Sequence, residues 1–255
     1  MSNFQNPIVD PEKLIPQEES SVAASNKNHN QKDSRFFSIG ALPSGYAPYD
    51  FDELMIRPFS FVELKLLSRA AQTKTDMNVV HAVNNCVSED AFNLTVGDFY
   101  YVLFWLRVNS YPKTPWTVSW TCRNVLEDEE EQRLCGASNI SRISSSSVEI
   151  LPLEKTELPE GIDFPRAKHL DDIQDLLKDP DTRYLVKEIQ WIAGDSIPEK
   201  IRKLESSESL DLFEAAKQAS DDLQHGIVET IQLKCKECGG LHSHKMTINP
   251  LTFFR

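Results

Sequence analysis

The chain has 255 residues, of which 40% are hydrophobic and 26% are charged, so it can bury a core and is not disordered throughout. Lys and Arg number 27 and Asp and Glu number 39, and the resulting net charge of −12 is a poor match to nucleic-acid phosphates or to an anionic membrane surface. Neither a P-loop nor a G-x-G-x-x-G motif occurs, which excludes the common nucleotide-binding loops. We therefore expect neither a nucleic-acid partner nor a membrane partner.

The N-terminal stretch is polar, with little periodic apolar content, and predicts a disordered arm over residues 1–35. It lacks the apolar core and basic start of a signal peptide. The longest apolar run, FYYVLFWL at 99–106, is far shorter than the roughly 20 residues that a membrane-spanning helix needs. We expect a protein that is neither exported nor inserted in a membrane.

Three helices are predicted in the next segment, residues 36–115. The sequence SFVE at 60–63 matches the capping box S-x-x-E, and the apolar spacing that follows predicts a helix over 60–73. Valines on one side of the stretch 76–87 predict a second helix. A third begins after Thr95, a favourable N-cap, and is apolar on nearly all sides over 99–108, so it should form the buried centre of this half.

Alternation of bulky and polar residues predicts strands over 116–122, 148–151, 227–233 and 245–251. The acidic run EDEEE at 127–131 is interpreted as a solvated loop tip, with a docking site for a basic partner as the alternative.

The residues from 164 to 226 are predicted to be helical, with helices over 181–193, from Ser196 onward, and over 209–224. The predicted fold class is therefore α+β, with a helical N-terminal half over 36–115 and a helical insertion over 156–225. The β part is zinc-ribbon-like and combines residues 116–155 with residues 226–255.

The cysteines form the one group of residues in the sequence whose pattern indicates a specific chemistry, which is metal binding. Cys235-x-x-Cys238, followed by Gly239 between two predicted strands, resembles a zinc knuckle. A structural Zn²⁺ takes four ligands, and Cys122 and Cys135, each expected at a strand end, are the natural second pair. The sequence predicts a structural zinc ion that ties the central β segment to the C-terminal hairpin.

Alternatives to this four-cysteine site remain open. His242 or His244 can replace a cysteine as a ligand beside Cys235 and Cys238, and the thiols can also be free of metal or redox-active. A catalytic zinc is disfavoured because four thiolates leave no coordination position for water. No catalytic residue is predicted.

Several segments together resemble the baseplate hub proteins of T4-type contractile-tailed phages. They are YAPYDFDEL at 46–54, IRPFS at 56–60, the stretch from DFYY at 98–101 to NSYP at 109–112, WTC at 120–122 and the C-terminal C-x-x-C. The resemblance implies a non-enzymatic structural subunit of the hub or a factor that helps the hub to assemble. It also implies other baseplate proteins as partners, a location in the virion tail or in the host cytoplasm during assembly, and leaves homo-oligomerisation open.

We predict that one segment either contacts a partner or anchors the domain. Its residues are Tyr46, Tyr49, Phe51, Arg57 and Phe59. The alternative interpretation of this segment is that it packs on its own helices. Two other functions are kept: a zinc-stabilised cytoplasmic adaptor, and a metal-dependent hydrolase or nuclease.

Overall fold

The computed structural model describes residues 35–110, 115–127, 132–207 and 209–246. This part of the chain contains seven α-helices and five antiparallel strand pairs, which confirms the predicted α+β class. The helices are α1 (Phe61–Thr73), α2 (Met77–Asn84), α3 (Val96–Asn109), α4 (Leu170–Lys178), α5 (Val186–Ile189), α6 (Ile197–Glu205) and α7 (Asp211–Asp222). The strands are β1 (Phe37–Ser38), β2 (Met55–Ile56), β3 (Thr117–Thr121), β4 (Val125–Glu127), β5 (Gln132–Leu134), β6 (Ser138–Arg142), β7 (Ile150–Leu151), β8 (Gly226–Ile227), β9 (Thr230–Lys234) and β10 (Leu241–Lys245). The predicted arm, apart from its last residue, and the acidic residues 128–131 lie outside the described residues.

Helix α1 begins as its capping box predicts. The Ser60 hydroxyl accepts a hydrogen bond from the backbone N–H of Val62, and the Glu63 carboxylate accepts one from the backbone N–H of Ser60 at 2.7 Å. Glu63 also accepts hydrogen bonds from both terminal nitrogens of Arg57, at 3.0 and 3.2 Å, with only 2% of its side chain exposed. A carboxylate buried this deeply is kept as an ion by the guanidinium and the cap together.

Helix α2 is shorter than predicted. The sequence pattern extends over 76–87, but α2 stops at Asn84, because the residues beyond it form a bridge with β2 instead of another helical turn. Its N-terminus is capped by Asp171 of α4, which accepts hydrogen bonds from the backbone N–H groups of Asp76 and Met77. This acceptor lies far along the chain, so no local motif indicates it.

Helix α3 lies between two hydrophobic cores, in agreement with its apolar circumference. Phe99, Val102 and Leu103 belong to the core that α1 and α2 also line, whereas Phe104 belongs to the core of the β part. Thr95 caps the helix by accepting a hydrogen bond from the backbone N–H of Asp98 at 3.2 Å. Among the described residues, none of the helices has both the length and the apolar character required to cross a membrane.

The central β segment is a long hairpin. Strand β3 pairs with β6 from Thr117 opposite Arg142 to Thr121 opposite Ser138, and β4 pairs with β5 beyond that register. Its inner side contributes to a core with the C-terminal strands. The buried members of this core are Phe104, Trp116, Trp120, Cys122, Ile143, Ile231, Leu233, Cys235 and Met246.

The C-terminal hairpin consists of β9 and β10, which pair from Thr230 opposite Lys245 to Lys234 opposite Leu241. The predicted boundary of the last strand is wrong: it begins at Leu241 and not at residue 245, because the chain pairs with β9 as soon as the C-x-x-C turn ends. Residues from 247 onward lie outside the described part of the chain.

The four helices α4 to α7 form the segment between the two β pieces. The predicted helix over 181–193 is wrong, since only Val186–Ile189 is α-helical. Beyond it, the carbonyl of Trp191 accepts a hydrogen bond from the N–H of Asp163, and the N–H of Ala193 donates to the carbonyl of Gly161, both at 2.8 Å. These tertiary hydrogen bonds replace the helical ones.

The two ends of this helical segment lie next to each other at the edge of the β part. Strand β7 pairs with β8, with Leu151 opposite Gly226. Gly226 has a left-handed φ of 119° and lies against Gly97 at the start of α3. A Cβ on Gly97 would lie 2.3 Å from the carbonyl oxygen of His225, so two glycines are required where these backbones cross.

We predict that the Arg57–Glu63 pair stabilises the fold in a pH-dependent way. Burial by itself raises the pKa of Glu63, but the hydrogen bonds from Arg57 and Ser60 lower it to about 2. A carboxyl group with a lowered pKa stabilises the folded state above its unfolded pKa, and this contribution is lost as the pH falls from about 4.5 to about 2. Glu63→Gln should therefore lower the free energy of unfolding by about 2 kcal/mol at pH 7 and by progressively less toward pH 2.

Urea unfolding followed by circular dichroism at several pH values measures this difference. Glu205→Gln, at an exposed position on α6, is the matched control and should cost less than about 0.5 kcal/mol. An equal effect of the two substitutions at pH 7 would contradict the prediction.

Candidate metal centre

Four cysteine side chains meet between the central and C-terminal β hairpins. The sulfur atoms of Cys122, Cys135, Cys235 and Cys238 all lie within 4.8 Å of one another. The distance from the Cys122 sulfur to the Cys238 sulfur is 3.6 Å, and that from Cys135 to Cys235 is 3.9 Å. These separations are far longer than the roughly 2.05 Å of a disulfide bond. The structure thus brings together all four cysteines predicted as ligands.

The first pair of cysteines is positioned by the central hairpin. Cys122 follows β3 and Cys135 follows β5. The N–H of Cys122 donates to the carbonyl of Ala137 at 2.9 Å, and the N–H of Cys135 donates to the carbonyl of Asn124 at 2.8 Å. Gly136, with a φ of 66°, turns the chain back toward β6. The hairpin therefore directs both thiols to the side that faces the C-terminal knuckle.

The second pair lies on the tight turn between β9 and β10. The N–H of Gly239 donates to the carbonyl of Cys235 at 3.0 Å, and the N–H of Gly240 donates to the sulfur of Cys238 at 3.4 Å. Gly240 has no room for a side chain, because a Cβ there would overlap the amide nitrogen of Asn124. Asn124 also donates to the Cys238 sulfur at 3.8 Å, so the two hairpins interlock beside the cysteines.

The cluster has the dimensions of a tetrahedral thiolate site. With zinc–sulfur bonds of about 2.3 Å, the edges of a regular tetrahedron of sulfur atoms are about 3.8 Å. The two measured sulfur–sulfur distances of 3.6 and 3.9 Å bracket that value. Cys122 and Cys235 are buried, while Cys135 and Cys238 are partly exposed, so an ion can reach the site from the Cys135–Cys238 side. The four cysteines can hold one metal ion.

Asn139 connects the two hairpins immediately outside the cysteines. Its amide nitrogen donates to the sulfur of Cys235 at 3.5 Å and to the carbonyl of Ala137 at 3.0 Å. Its amide oxygen accepts from the backbone N–H of Lys236 at 3.0 Å. The side chain is buried. Asn139 was not among the predicted site residues, because an isolated Asn in a polar strand carries no local signal of such a role.

The protonation of the cluster is uneven. A hydrogen bond from the backbone N–H of Cys238, and a further one from Asn139, lower the pKa of Cys235 to about 6. A backbone hydrogen bond at Asn124 lowers the pKa of Cys122, but burial and the adjacent thiols outweigh it and raise that pKa to about 12. Four thiolates this close together repel one another unless a cation neutralises them.

The two histidines considered as alternative metal ligands do not belong to the cysteine cluster. His242 stacks on the ring of Trp120, with 4.7 Å between centroids and 8° between planes. His244, on β10, lies opposite Ile231 of β9. Within the described part of the chain, the metal-ligand group contains the four cysteines and neither histidine. The geometry therefore favours the sulfur-only ligand set.

The aromatic residues predicted for partner binding pack against the helical core. The rings of Tyr49 and Phe51 stack at 4.7 Å, and Tyr46 contacts Phe51 edge-on at 5.9 Å. The Tyr49 hydroxyl donates to the buried carboxylate of Asp98 at 2.6 Å, and burial together with that carboxylate raises the pKa of Tyr49. These contacts connect the loop firmly to the start of α3.

Arg57 and Phe59 are also engaged within the chain. Arg57 pairs with Glu63, as described above, and the backbone N–H of Phe59 donates to the hydroxyl of Ser110 at 2.9 Å. The Phe59 side chain is partly buried against the helical core. The five predicted residues thus lie along one continuous segment that leads into α1.

The protein thus combines a helical core with a β part in which four cysteines cluster. The chain belongs to the family of T4 bacteriophage base plate proteins, because the model of this family, described as "T4 bacteriophage base plate protein", matches residues 37–255. This match confirms the resemblance to T4-type baseplate proteins, and the matched range includes all four clustered cysteines. No curated protein and no solved structure matches the chain. The chain is therefore a phage baseplate protein.

If the cluster binds a metal, Co²⁺ added to the metal-free, reduced protein should report its ligands. We expect about one equivalent to bind and to give the intense sulfur-to-metal absorption and visible bands of a tetrahedral thiolate complex. Cys238→Ser should weaken and shift these bands. Cys86→Ala, which removes a buried thiol outside the cluster, should leave them unchanged.

Asn139→Ala tests the residue outside the ligands in the same titration. It should keep the tetrahedral spectrum but lower the affinity about tenfold, because an outer hydrogen bond orients the ligand without binding the ion. A spectrum of octahedral Co²⁺, or no uptake at all by the wild-type chain, would show that the four thiols do not form a metal site.

Proposed function

We propose that this protein is a non-enzymatic component or assembly factor of the baseplate hub of a contractile phage tail, and that a structural Zn²⁺ held by its four clustered cysteines stabilises it. The observation that carries the zinc proposal is the arrangement of four sulfur atoms with tetrahedral dimensions, contributed by two hairpins whose closest cysteine pairs are 116 and 100 residues apart in the chain. Family membership supports the tail assignment. Other baseplate proteins are the proposed partners, in the virion tail or in the host cytoplasm during assembly.

The proposed role of the zinc is to hold the two hairpins of the β part together. Each hairpin has only two long strands, and isolated two-stranded sheets are marginal in water. An ion bound by ligands from both hairpins adds its binding free energy to the folding free energy. Zn²⁺ suits this role because it is redox-inert and favours tetrahedral thiolate coordination. With Zn²⁺ bound, Asn139 would hold Cys235 in place.

A metal-dependent hydrolase is less well supported. Catalysis by zinc requires a coordination position for water or substrate, whereas four cysteines fill a tetrahedral site. A cavity of about 840 Å³ lies between α3, the helical insertion and the β part, but its charged side chains are already paired. Lys187 contacts Asp221 at 2.6 Å, and Lys245 contacts Glu229 at 3.1 Å.

The segment containing Tyr46, Tyr49, Phe51, Arg57 and Phe59 is proposed to contribute to partner binding by holding the start of α1 in place. Its aromatic rings pack inward, and it leads into Phe61 and Val62, which are 70% and 60% exposed. Partner contact through this region would therefore use the exposed start of α1, with the predicted residues as its support.

Removing the zinc should unfold the β part while leaving the helical core folded. The near-ultraviolet circular dichroism of Trp116 and Trp120, which lie in the core beside the cysteines, should collapse when a strong chelator is added. The helical signal should largely remain, and the melting temperature should fall by about 10 °C or more. Added Zn²⁺ should restore both signals. Unchanged spectra and melting after verified metal removal would exclude a structural role.

Complementation of a phage that lacks this gene tests the role in the tail. Without the protein we expect no complete tails by electron microscopy and no infectious particles. The wild-type chain and Cys86→Ala should restore both, whereas the double variant Cys235→Ser/Cys238→Ser should not. Normal tails in the absence of the protein would contradict a hub role and would favour a cytoplasmic adaptor.

Two further measurements refine this experiment. Mass spectrometry of purified particles distinguishes a permanent subunit, which is present at fixed copy number, from an assembly factor, which is absent. Phe59→Ala, scored in the same assay after its melting temperature has been checked, tests the segment before α1. Full complementation by a folded Phe59→Ala variant would reject a contribution of that residue.

A further inference from the structure

The four clustered cysteines divide into two pairs, and each pair joins the two hairpins. The sulfur of Cys122 lies 3.6 Å from that of Cys238, and the sulfur of Cys135 lies 3.9 Å from that of Cys235. Each pair takes one sulfur from the central hairpin and one from the turn between β9 and β10, so no cysteine of the cluster is left over. The fifth cysteine, Cys86, is buried in the helical core and lies outside the cluster.

Two amide side chains of the central hairpin hold the turn sulfur atoms in this pairing. Asn124 donates to the sulfur of Cys238 at 3.8 Å. Asn139 donates to the sulfur of Cys235 at 3.5 Å. Asn124 follows β3, the strand that leads into the first cysteine of the hairpin, whereas Asn139 lies on β6, the strand that begins shortly after the second. Each turn sulfur is therefore fixed beside the part of the central hairpin that bears its partner.

Solvent reaches one sulfur of each pair. Cys238 and Cys135 are partly exposed, whereas Cys122 and Cys235 are buried, with exposed fractions of 2% and 1%. A small oxidant in water can thus react with the exposed member of either pair, and a buried thiol lies next to the product. An accessible thiol beside a second, resolving thiol is the arrangement of cysteines that form disulfides under oxidation.

We infer that the cluster is also a site of oxidative modification, at which a peroxide converts the four thiols into two disulfides between the hairpins, Cys122–Cys238 and Cys135–Cys235. The inference concerns the same cluster as the proposed zinc site, but it does not require that a metal is bound. The two bonds would join positions that are 116 and 100 residues apart in the chain. They would thus hold the two hairpins together covalently.

Each pair consumes one molecule of hydrogen peroxide. The exposed sulfur attacks a peroxide oxygen, the O–O bond breaks, and a sulfenic acid and one water are formed. The buried thiol then attacks the sulfenic sulfur, so that the S–S bond forms and the hydroxyl group leaves with a proton as a second water. The two thiols lose two electrons and two protons in all, and the peroxide is reduced. A bound metal ion would be released as its ligands are consumed.

The geometry of the cluster allows this chemistry with small movements. The paired sulfur atoms have to approach from 3.6 and 3.9 Å to the roughly 2.05 Å of a disulfide bond. None of the four cysteines lies within a strand: two follow the ends of β3 and β5, and two lie on the turn after β9. The approach of the sulfur atoms therefore leaves the paired strands in place.

Peptide mapping of the oxidised full-length chain tests this inference. The folded protein is treated with hydrogen peroxide, its free thiols are blocked with N-ethylmaleimide, and it is digested without reductant. Trypsin cleaves after Lys and Arg and therefore places the four cysteines on separate peptides, 114–123, 134–142, 235–236 and 237–245. Mass spectrometry should find 114–123 linked to 237–245, and 134–142 linked to 235–236. This pairing should clearly exceed the share of about one third that random pairing of four cysteines gives.

Two variants examine the separate steps. Cys86→Ala removes the thiol outside the cluster and should give the same two links as the wild-type chain. Cys122→Ser removes the buried partner of Cys238 and should leave a sulfenic acid on Cys238, which dimedone labels, while the link between Cys135 and Cys235 still forms. If Cys122→Ser does not fold by circular dichroism, the map of the wild-type chain decides the inference by itself.

Three results for the wild-type chain would overturn the inference: a link between Cys235 and Cys238 as the main product, pairing in random proportions, or oxidation without disulfides. The metal content, measured before peroxide is added, judges the zinc proposal separately. Both expected links in a protein purified without metal would support this inference and count against zinc. One zinc ion per chain, followed by a Cys235–Cys238 product, would do the reverse.

Discussion

Four sulfur atoms within 4.8 Å of one another join the two hairpins of the β part. As thiolates they repel one another, and as thiols they offer only weak hydrogen bonds, so a positive ion at the centre would stabilise the thiolate form of the cluster. Hydrogen bonds support two of these sulfur atoms. Asn139 donates to the sulfur of Cys235, and Asn124 and the backbone N–H of Gly240 donate to the sulfur of Cys238. Such supporting contacts are typical of metal ligands, whose orientation has to be fixed.

Local signals in the sequence were sufficient for a large part of the fold. The capping box at Ser60 and Glu63 predicts the start of α1, and the apolar circumference of α3 predicts that this helix is buried. The cysteine spacing also predicts which residues cluster, because a C-x-x-C turn supplies two ligands and requires a second pair. In each case the chemistry that determines the structure lies within a few neighbouring residues or in a side chain that is rare in the sequence.

What the sequence does not reveal depends on distant partners. The helix predicted over 181–193 ends early because Trp191 and Ala193 form hydrogen bonds with the loop at 161–163, and α2 takes its cap from Asp171. A buried polar network shows the same limit. Tyr49 donates to Asp98, and Thr95 contacts the Nε2 atom of His225 at 2.7 Å, which connects the N-terminal loop, α3 and the end of the helical insertion. The local sequence indicates Thr95 as an N-cap, but it does not indicate that Thr95 meets His225 or that Tyr49 meets Asp98.

The pairing of β7 with β8 has a consequence for how this protein can diversify. Leu151 and Gly226 face each other, so the chain departs from the β part and comes back to it at adjacent points. Between them, α4 to α7 form an excursion whose two ends are held together whatever its length. A change in the length of this excursion would therefore leave the path of the rest of the chain unchanged, provided that the two glycines at the Gly97–Gly226 crossing are retained.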